Sequence, residues 1–204
     1  RTLYVLSVAV LLVTNISPAT AVHEADAPPL TDSRVDLNQT WEAVASNSGE
    51  SWLFQSGQSL ESVARFDVQP MLAPGTIALC NAGFGNVVIQ SMQSTRDGKV
   101  ELRCGDANSG YVHIRAGKQK AWTNAMVGPD LWDDFMVFAT VNAVEAPAST
   151  ATQPGNKRCY TTPIKLYRIV NGKQQYVKTF NPTVIVSINN KIIITSIPST
   201  SPSC

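Results

Sequence analysis

The stretch GYVHIRAGKQ, residues 110–119, sets His113 beside Arg115 and Lys118, with Lys120 just beyond it. These residue types at this spacing suit the metal-free cleavage of a ribose phosphodiester. In that reaction a base removes the 2′-hydroxyl proton, the freed oxygen attacks the adjacent phosphorus in line, and an acid protonates the departing 5′-oxygen. Cationic and hydroxyl donors hold the charge that builds on the phosphoryl oxygens. Histidine is the side-chain type that changes charge between about pH 5 and pH 8, so His113 suits one proton-transfer role while Arg115 and Lys118 supply electrostatics. The sequence offers no obvious second proton-transfer group. His23, the other histidine, falls in an acidic, proline-containing stretch, 22–30, that reads as a flexible arm. The plainer reading of His113 is a surface histidine satisfied by a hydrogen bond.

Other chemistries find little support. No G-x-x-x-x-G-K-S/T, G-x-S-x-G or H-E-x-x-H occurs, and a serine hydrolase would have to rely on His113 without a flanking motif. The four cysteines, Cys80, Cys104, Cys159 and Cys204, form no C-x-x-C pair and have no histidine nearby, which argues against zinc. Neither a metal nor a cofactor is expected.

An even cysteine count suits disulfides in an exported chain. Three pairings are open, and Cys80–Cys104 with Cys159–Cys204 is favoured because each pair brackets one compact segment and the second would tie down the C-terminal tail. Export is itself an expectation. An apolar stretch over residues 3–13 is followed by the small-x-small pattern Ala19-Thr20-Ala21 just before Val22, the marks of a signal peptide spanning 1–21. Eleven apolar residues are too few to cross a bilayer about 30 Å thick as a helix, so no membrane association is expected of the mature form.

The net charge of +1 hides an asymmetry. Residues 22–110 carry five basic and eleven acidic side chains, and residues 111–204 carry ten basic and four acidic. The basic half is a candidate for binding a polyanion, although two oppositely charged halves could equally pair with each other.

The elements that must position these residues follow from periodicity. Ser33 caps an expected helix with Leu37, Trp41 and Val44 on one stripe; the Ser46–Ser51 cluster ends it, and a second short helix is expected over 59–66. Strands are expected over 76–80, 86–92 and 99–104, with Asp97-Gly98 as a hairpin signal. Tyr111–Arg115 reads as a further strand carrying Tyr111, His113 and Arg115 on one face. Two helices follow, over 117–127 and from Asp130 to a stop at Pro147, with Asp130, Asp133 and Asp134 in the first turn of the second. A loop is expected over 148–156. Four strand-like runs close the chain, 164–170, 174–180, 184–188 and 191–197, joined by Asn171-Gly172, Asn181-Pro182 and Asn189-Asn190. The fold expected is therefore α+β: helices packed on a C-terminal four-stranded antiparallel meander, preceded by a smaller β-containing part. Residues 22–74 read as an acidic, partly helical or flexible segment, and residues 75–204 as one disulfide-linked domain.

GYVHIRAGKQ, the following WDDFMVFAT, then CYTTPIKLYRIVNGKQ, FNPTVIVS and IIITSIPS together resemble the C-terminal toxin domains of the barnase, EndoU, colicin and RelE superfamily found in secreted bacterial polymorphic toxins. The likeness covers about residues 100–200 and rests on pattern and element order. It implies a metal-independent ribonuclease in which His113 matches the histidine placed before the helix, Arg115 the accompanying basic residue, and Thr195 and Ser196 the polar pair near the end of the last strand. Lys118 and Lys120 occupy the region where many relatives carry a second histidine or basic residue, so two-histidine chemistry is absent. Lys120, Lys165, Arg168, Lys178 and Ser196 are expected to bind RNA, the implied partner, and an immunity or inhibitor protein is a second expected partner. The alternative is a secreted, non-enzymatic binding protein that presents a basic surface.

Overall fold

The computed structural model describes residues 39–55, 72–125 and 132–204, all within a compact unit spanning Asp36–Cys204. The expected signal peptide, the acidic arm and the helix over 59–66 lie outside the described residues.

Nine strands and three helices order the described residues: β1 Thr40–Ala45, β2 Ser51–Gln55, α1 Pro74–Asn81, β3 Val88–Ser94, β4 Gly98–Arg103, α2 Gly110–Ala125, α3 Trp132–Glu145, β5 Ser149–Gln153, β6 Lys157–Thr161, β7 Ile164–Val170, β8 Lys173–Ser187 and β9 Ile192–Ser199. The strands form one mixed sheet in the order β2-β1-β7-β8-β9-β4-β3, with the β5–β6 hairpin attached to β8. The fifteen-residue β8 is its spine. Its first half pairs with β7, its second half pairs with β6, and β9 runs along the opposite edge. The β4–β9 pairing is parallel, and the other pairings are antiparallel.

Helix α3 occupies the core. Eleven of its fourteen residues are buried, the pattern of a helix enclosed on all sides, and it packs against β3, β6 and β8. Phe135 of α3 meets Trp52 and Phe54 of β2, Trp122 of α2 and Phe180 of β8, with ring centroids 5.1 to 6.1 Å apart.

This corrects the expected fold class, for the described residues are mainly β and form a nine-stranded mixed sheet rather than a four-stranded meander under a helical layer. The misreadings have local causes. Trp41 and Val44 fit a helical stripe, but the buried positions are Trp41, Ala43 and Ala45 at strand period, and two of those three are alanines that carry little hydrophobic signal. The expected loop over 148–156 contains β5 and the tight turn into β6. The runs 174–180 and 184–188 are one strand: Asn181 and Pro182 do not turn the chain but pair with Ser199 and Pro198 of β9. The expected strand over 76–80 lies in α1, where Pro74 suits the first helical turn.

Residues 111–115 are likewise helical, the start of α2, with Tyr111, Ile114 and Trp122 at i, i+3 and i+11 on its buried side. Gly110 begins α2 at φ +79, where an added Cβ would sit 2.6 Å from the Arg103 carbonyl oxygen. The strand reading missed this because a β-branched pair, Val112 and Ile114, alternates with polar residues over only five positions.

Several expectations hold. Strand β7 covers the expected run. The Asp97-Gly98 hairpin joins β3 to β4, and Asn171 and Gly172 turn β7 into β8 with φ of 51° and 72°, as a two-residue hairpin of type I′ requires. Asp133 and Asp134 lie in the first turn of α3. Both disulfides form in the favoured pairing, Cys80–Cys104 and Cys159–Cys204.

Candidate functional site

His113 sits in the first turn of α2 and is half-buried. Its Nδ1 lies 2.8 Å from the carbonyl oxygen of Ala107. A carbonyl can only accept, so Nδ1 carries the hydrogen, and the neutral ring keeps its lone pair on Nε2. The loop that holds the imidazole is itself fixed. Asp106 accepts the backbone N–H of Asn108 and Ser109 at 2.7 and 3.2 Å, and the Asp106 N–H reaches Ser109 O at 2.9 Å. Gly105 allows that closure, because at φ +69 an added Cβ would meet the Ser109 carbonyl oxygen at 1.9 Å.

The other side of this loop contributes to a hollow of about 230 Å3 at the seam between β4, β9 and the start of α2. Asn86, Arg103, Asp106, Ser109, Gly110 and Ile193 are among its lining residues. Arg103 belongs to a charged face of β4: its Nε and Nη2 donate to Glu101 Oε2 at 2.9 and 2.8 Å, and Lys99 Nζ reaches Glu101 Oε1 at 2.9 Å. Hydrogen bonds from Lys99 and then Arg103 hold the Glu101 carboxyl below its ordinary range. The sequence reading missed Glu101. The signal was present in KVELR, where Val100 and Leu102 alternate inward and Lys99, Glu101 and Arg103 share the outer face.

Thr195 lies two residues beyond Ile193 on β9. A bulge intervenes, since Thr195 pairs with Ile185 and Ile193 with Val186, leaving Ile194 unpaired. Past the bulge, Thr195 faces outward while Ser196 faces the core. The Thr195 hydroxyl is shielded from solvent and has no hydrogen-bond partner. Ser196 is fully buried: its hydroxyl accepts from Thr140 at 2.8 Å, and its carbonyl accepts the Trp122 indole N–H at 2.9 Å. Ser196 is thus a strut between β9, α2 and α3.

The other expected site residues disperse. Helical geometry puts Arg115 about 200° around α2 from His113. Its guanidinium bonds Asn81 of α1 and lies over the Tyr111 ring, 5.7 Å from the centroid. Lys118 is half-buried on the stripe between Ile114 and Trp122, and Lys120 is exposed. Lys165 and Arg168 are exposed on β7, with Arg168 donating to Gln175 at 3.0 Å. Lys178 donates to the Asn124 carbonyl near the end of α2 at 3.3 Å, beside a groove of about 540 Å3. Burial lowers its ammonium pKa below the usual value. The structure therefore brings the loop that holds His113, Arg103 and the Ile192–Ile193 start of β9 to one seam, with Thr195 further along β9 beyond the bulge, and leaves Arg115, Lys118 and the β7–β8 cations elsewhere.

A second polar cluster braces the seam. Asp97 accepts from Tyr160 at 2.5 Å, Arg158 at 2.9 Å and Lys191 at 3.3 Å, and Tyr160 also meets Ser94 at 2.8 Å. Burial opposes ionisation of Asp97, but the bonds from Tyr160, Arg158 and Lys191 outweigh it and lower its pKa. Burial, with the Asp97 bond, pushes the Tyr160 hydroxyl up to about 12.

No family model matches this chain, and no curated protein or solved structure matches it. Among the described residues, no helix is long and apolar enough to cross a membrane.

Proposed function

We propose that this chain is an exported, metal-independent ribonuclease of toxin type, cleaving RNA by attack of the 2′-hydroxyl on the neighbouring phosphodiester. The observation that carries the reading is the imidazole of His113, held in one tautomer by the Ala107 carbonyl of a loop whose Asp106 and Ser109 line a hollow of about 230 Å3. His113 takes one proton-transfer role through Nε2. Glu101, kept ionised by Lys99 and Arg103, is the carboxylate available for the other. Arg103 and the Ser109–Gly110 backbone at the start of α2 supply positive potential for the phosphoryl oxygens. The likeness to toxin ribonuclease domains in GYVHIRAGKQ and IIITSIPS points the same way, and the two disulfides suit an oxidising compartment. An immunity protein that covers the seam would fit this reading.

The test is cleavage of single-stranded RNA in EDTA, with product ends identified as 2′,3′-cyclic phosphates. His113→Asn keeps a donor for Ala107 O and removes the titrating ring; it should lower the rate by about 10²- to 10⁴-fold with an unchanged melting temperature. RNA left intact by the folded wild-type chain across the pH range would refute the proposal. A second reading, a non-enzymatic binder of polyanions, is favoured by the exposed Lys165 and Arg168, which lie on β7 away from the seam. Under that reading charge reversal at those two positions abolishes binding, and His113→Asn has no effect.

A further inference from the structure

The two disulfides differ in exposure. Cys80 and Cys104 are both buried, at 3% and 0%, whereas Cys159 is fully buried and its partner Cys204 is exposed. Tyr160, Val184, Val186 and Ser196 face the core, so strand alternation turns Cys159 and Thr161 of β6, Ile185 of β8 and Thr195 of β9 to the outer face. The register sets Cys159 opposite Ile185, and Ile185 opposite Thr195, making one row across three strands. Residues 200–204 reach back over this face: Cys204 is bonded to Cys159, and its Sγ lies 3.8 Å from Ser149 O, the residue paired with Thr161.

Beneath and beside this strap are polar groups without partners. Thr161 is 1% exposed, and neither its hydroxyl nor that of Thr195 has a hydrogen-bond partner. A buried hydroxyl left unpaired costs about 1 to 3 kcal/mol, so a strand-edge position that needs only a covered surface would be served better by valine. The strap itself is weakly held. Asn181 Nδ2 donates to Thr200 O at 3.1 Å, and the Ser201 bonds run to Ser199 and Ser203, within the segment and its immediate neighbour. Past Thr200, the disulfide is what ties the strap to the sheet among the described contacts.

We propose that Cys159–Cys204 is a reducible latch, holding residues 200–204 over the outer face of β6 and β8 and releasing them in a thiol-rich compartment. This rests on the ribonuclease reading for its purpose, since it would uncover the unpartnered Thr161 and Thr195 hydroxyls of the outer face for the RNA backbone. In the step itself, a thiolate of a small reductant attacks the exposed Cys204 Sγ, forming a mixed disulfide and expelling the Cys159 thiolate, which takes up a proton. A second reductant thiolate then displaces Cys204 from the mixed disulfide; Cys204 takes up a proton, and the reductant leaves as its disulfide.

The experiment uses the full chain under native conditions with graded reduced glutathione, followed by a bulky neutral maleimide and peptide mapping. Cys159 and Cys204 should both label at ~tenfold lower thiol than Cys80 and Cys104. Labelling of buried Cys159 reports that the strap has lifted. In parallel, an uncleavable 2′-O-methyl oligonucleotide should bind more tightly to the reduced chain and to Cys159→Ala/Cys204→Ala than to the oxidised chain. Labelling of Cys204 alone, simultaneous opening of both disulfides, or equal oligonucleotide affinity in the oxidised and reduced forms overturns the latch. Cleavage of ordinary RNA is read separately, so failure of the ribonuclease proposal leaves a different signature: a latch that opens, an oligonucleotide that binds, and RNA that stays whole.

Discussion

Replacing Asp97 with alanine tests whether the polar cluster positions the seam. Its side chain is 2% exposed, although the layer covering it is thin, and it joins three separate pieces of chain: the β3–β4 turn, β6 through Arg158 and Tyr160, and the approach to β9 through Lys191. Removing one partner of a buried ion pair costs about 3 to 5 kcal/mol when the other charge is stranded. Here the cations have an escape. Arg158 is 21% and Lys191 39% exposed, so both can turn to water, and the Lys191 pair contributes little by itself. Tyr160 keeps Ser94 as a partner. The expected loss is therefore about 2 to 3 kcal/mol, mostly the charge-assisted bonds from Tyr160 and Arg158. Urea denaturation at pH 7 reads it as a lower midpoint at constant slope. The lowered pKa of Asp97 fixes the sign of the pH dependence. A carboxylate depressed in the fold stabilises above its unfolded value of about 3.9, and that contribution fades as pH falls through the lower, folded value. The gap between wild type and Asp97→Ala should narrow below about pH 4. A gap under ~0.5 kcal/mol at neutral pH, the range of an ordinary surface change, would refute the reasoning, as would a gap that widens in acid.

Two further substitutions separate scaffold from site. Gly105→Ala brings a Cβ to 1.9 Å from Ser109 O at φ +69 and should cost about 3 kcal/mol or more, whereas Gly49→Ala, at φ +76 with nothing within 4 Å, should cost only about 1 to 2; equal melting temperatures for the two would dismiss the close loop closure beside His113. Ser196→Ala removes the acceptor of the Thr140 hydroxyl and should lower stability by about 1 to 3 kcal/mol while leaving RNA affinity of the folded chain unchanged; a selective loss of RNA binding would restore Ser196 to the substrate surface.

What was legible in the sequence was what short range decides. Gly98 and Asn171-Gly172 supply the positive φ that their turns require, and the aspartates at the start of α3 suit a helix N-terminus wherever the helix packs. The disulfide pairing followed from compact bracketing. What failed depended on distant partners. Trp41, Ala43 and Ala45 become a strand because β7 and β2 offer edges on both sides, and nothing within residues 33–45 encodes that. Asn181-Pro182 reads as a turn until β9 runs past it: Pro182 needs no donor at a position paired with Pro198, so one long strand was divided in two. The site suffered from the same cause. Reading 111–115 as a strand placed His113 and Arg115 on one face; as a helix, the segment sends them to opposite flanks, while the glutamate that shares a seam with the histidine loop lies on β4 and was passed over.

The bulge at Ile194 shows how one residue divides the roles of the polar pair in ITSIPS. In regular pairing with β8, the inward register of Ile193 would carry Thr195 to the core and Ser196 to the surface. The extra residue reverses this, so Ser196 reaches Thr140 and the Trp122 indole while Thr195 joins the outer row with Ile185 and Cys159. The inward position is fully satisfied by hydrogen bonds; the outward one is left with an unpartnered hydroxyl on the face that the Cys204 strap crosses. A fold that only required a packed strand could have kept the regular register and placed a valine at either position. Keeping the bulge and the unpaired threonine together is the arrangement expected if the outer row acquires its hydrogen-bond partner from a ligand rather than from the protein.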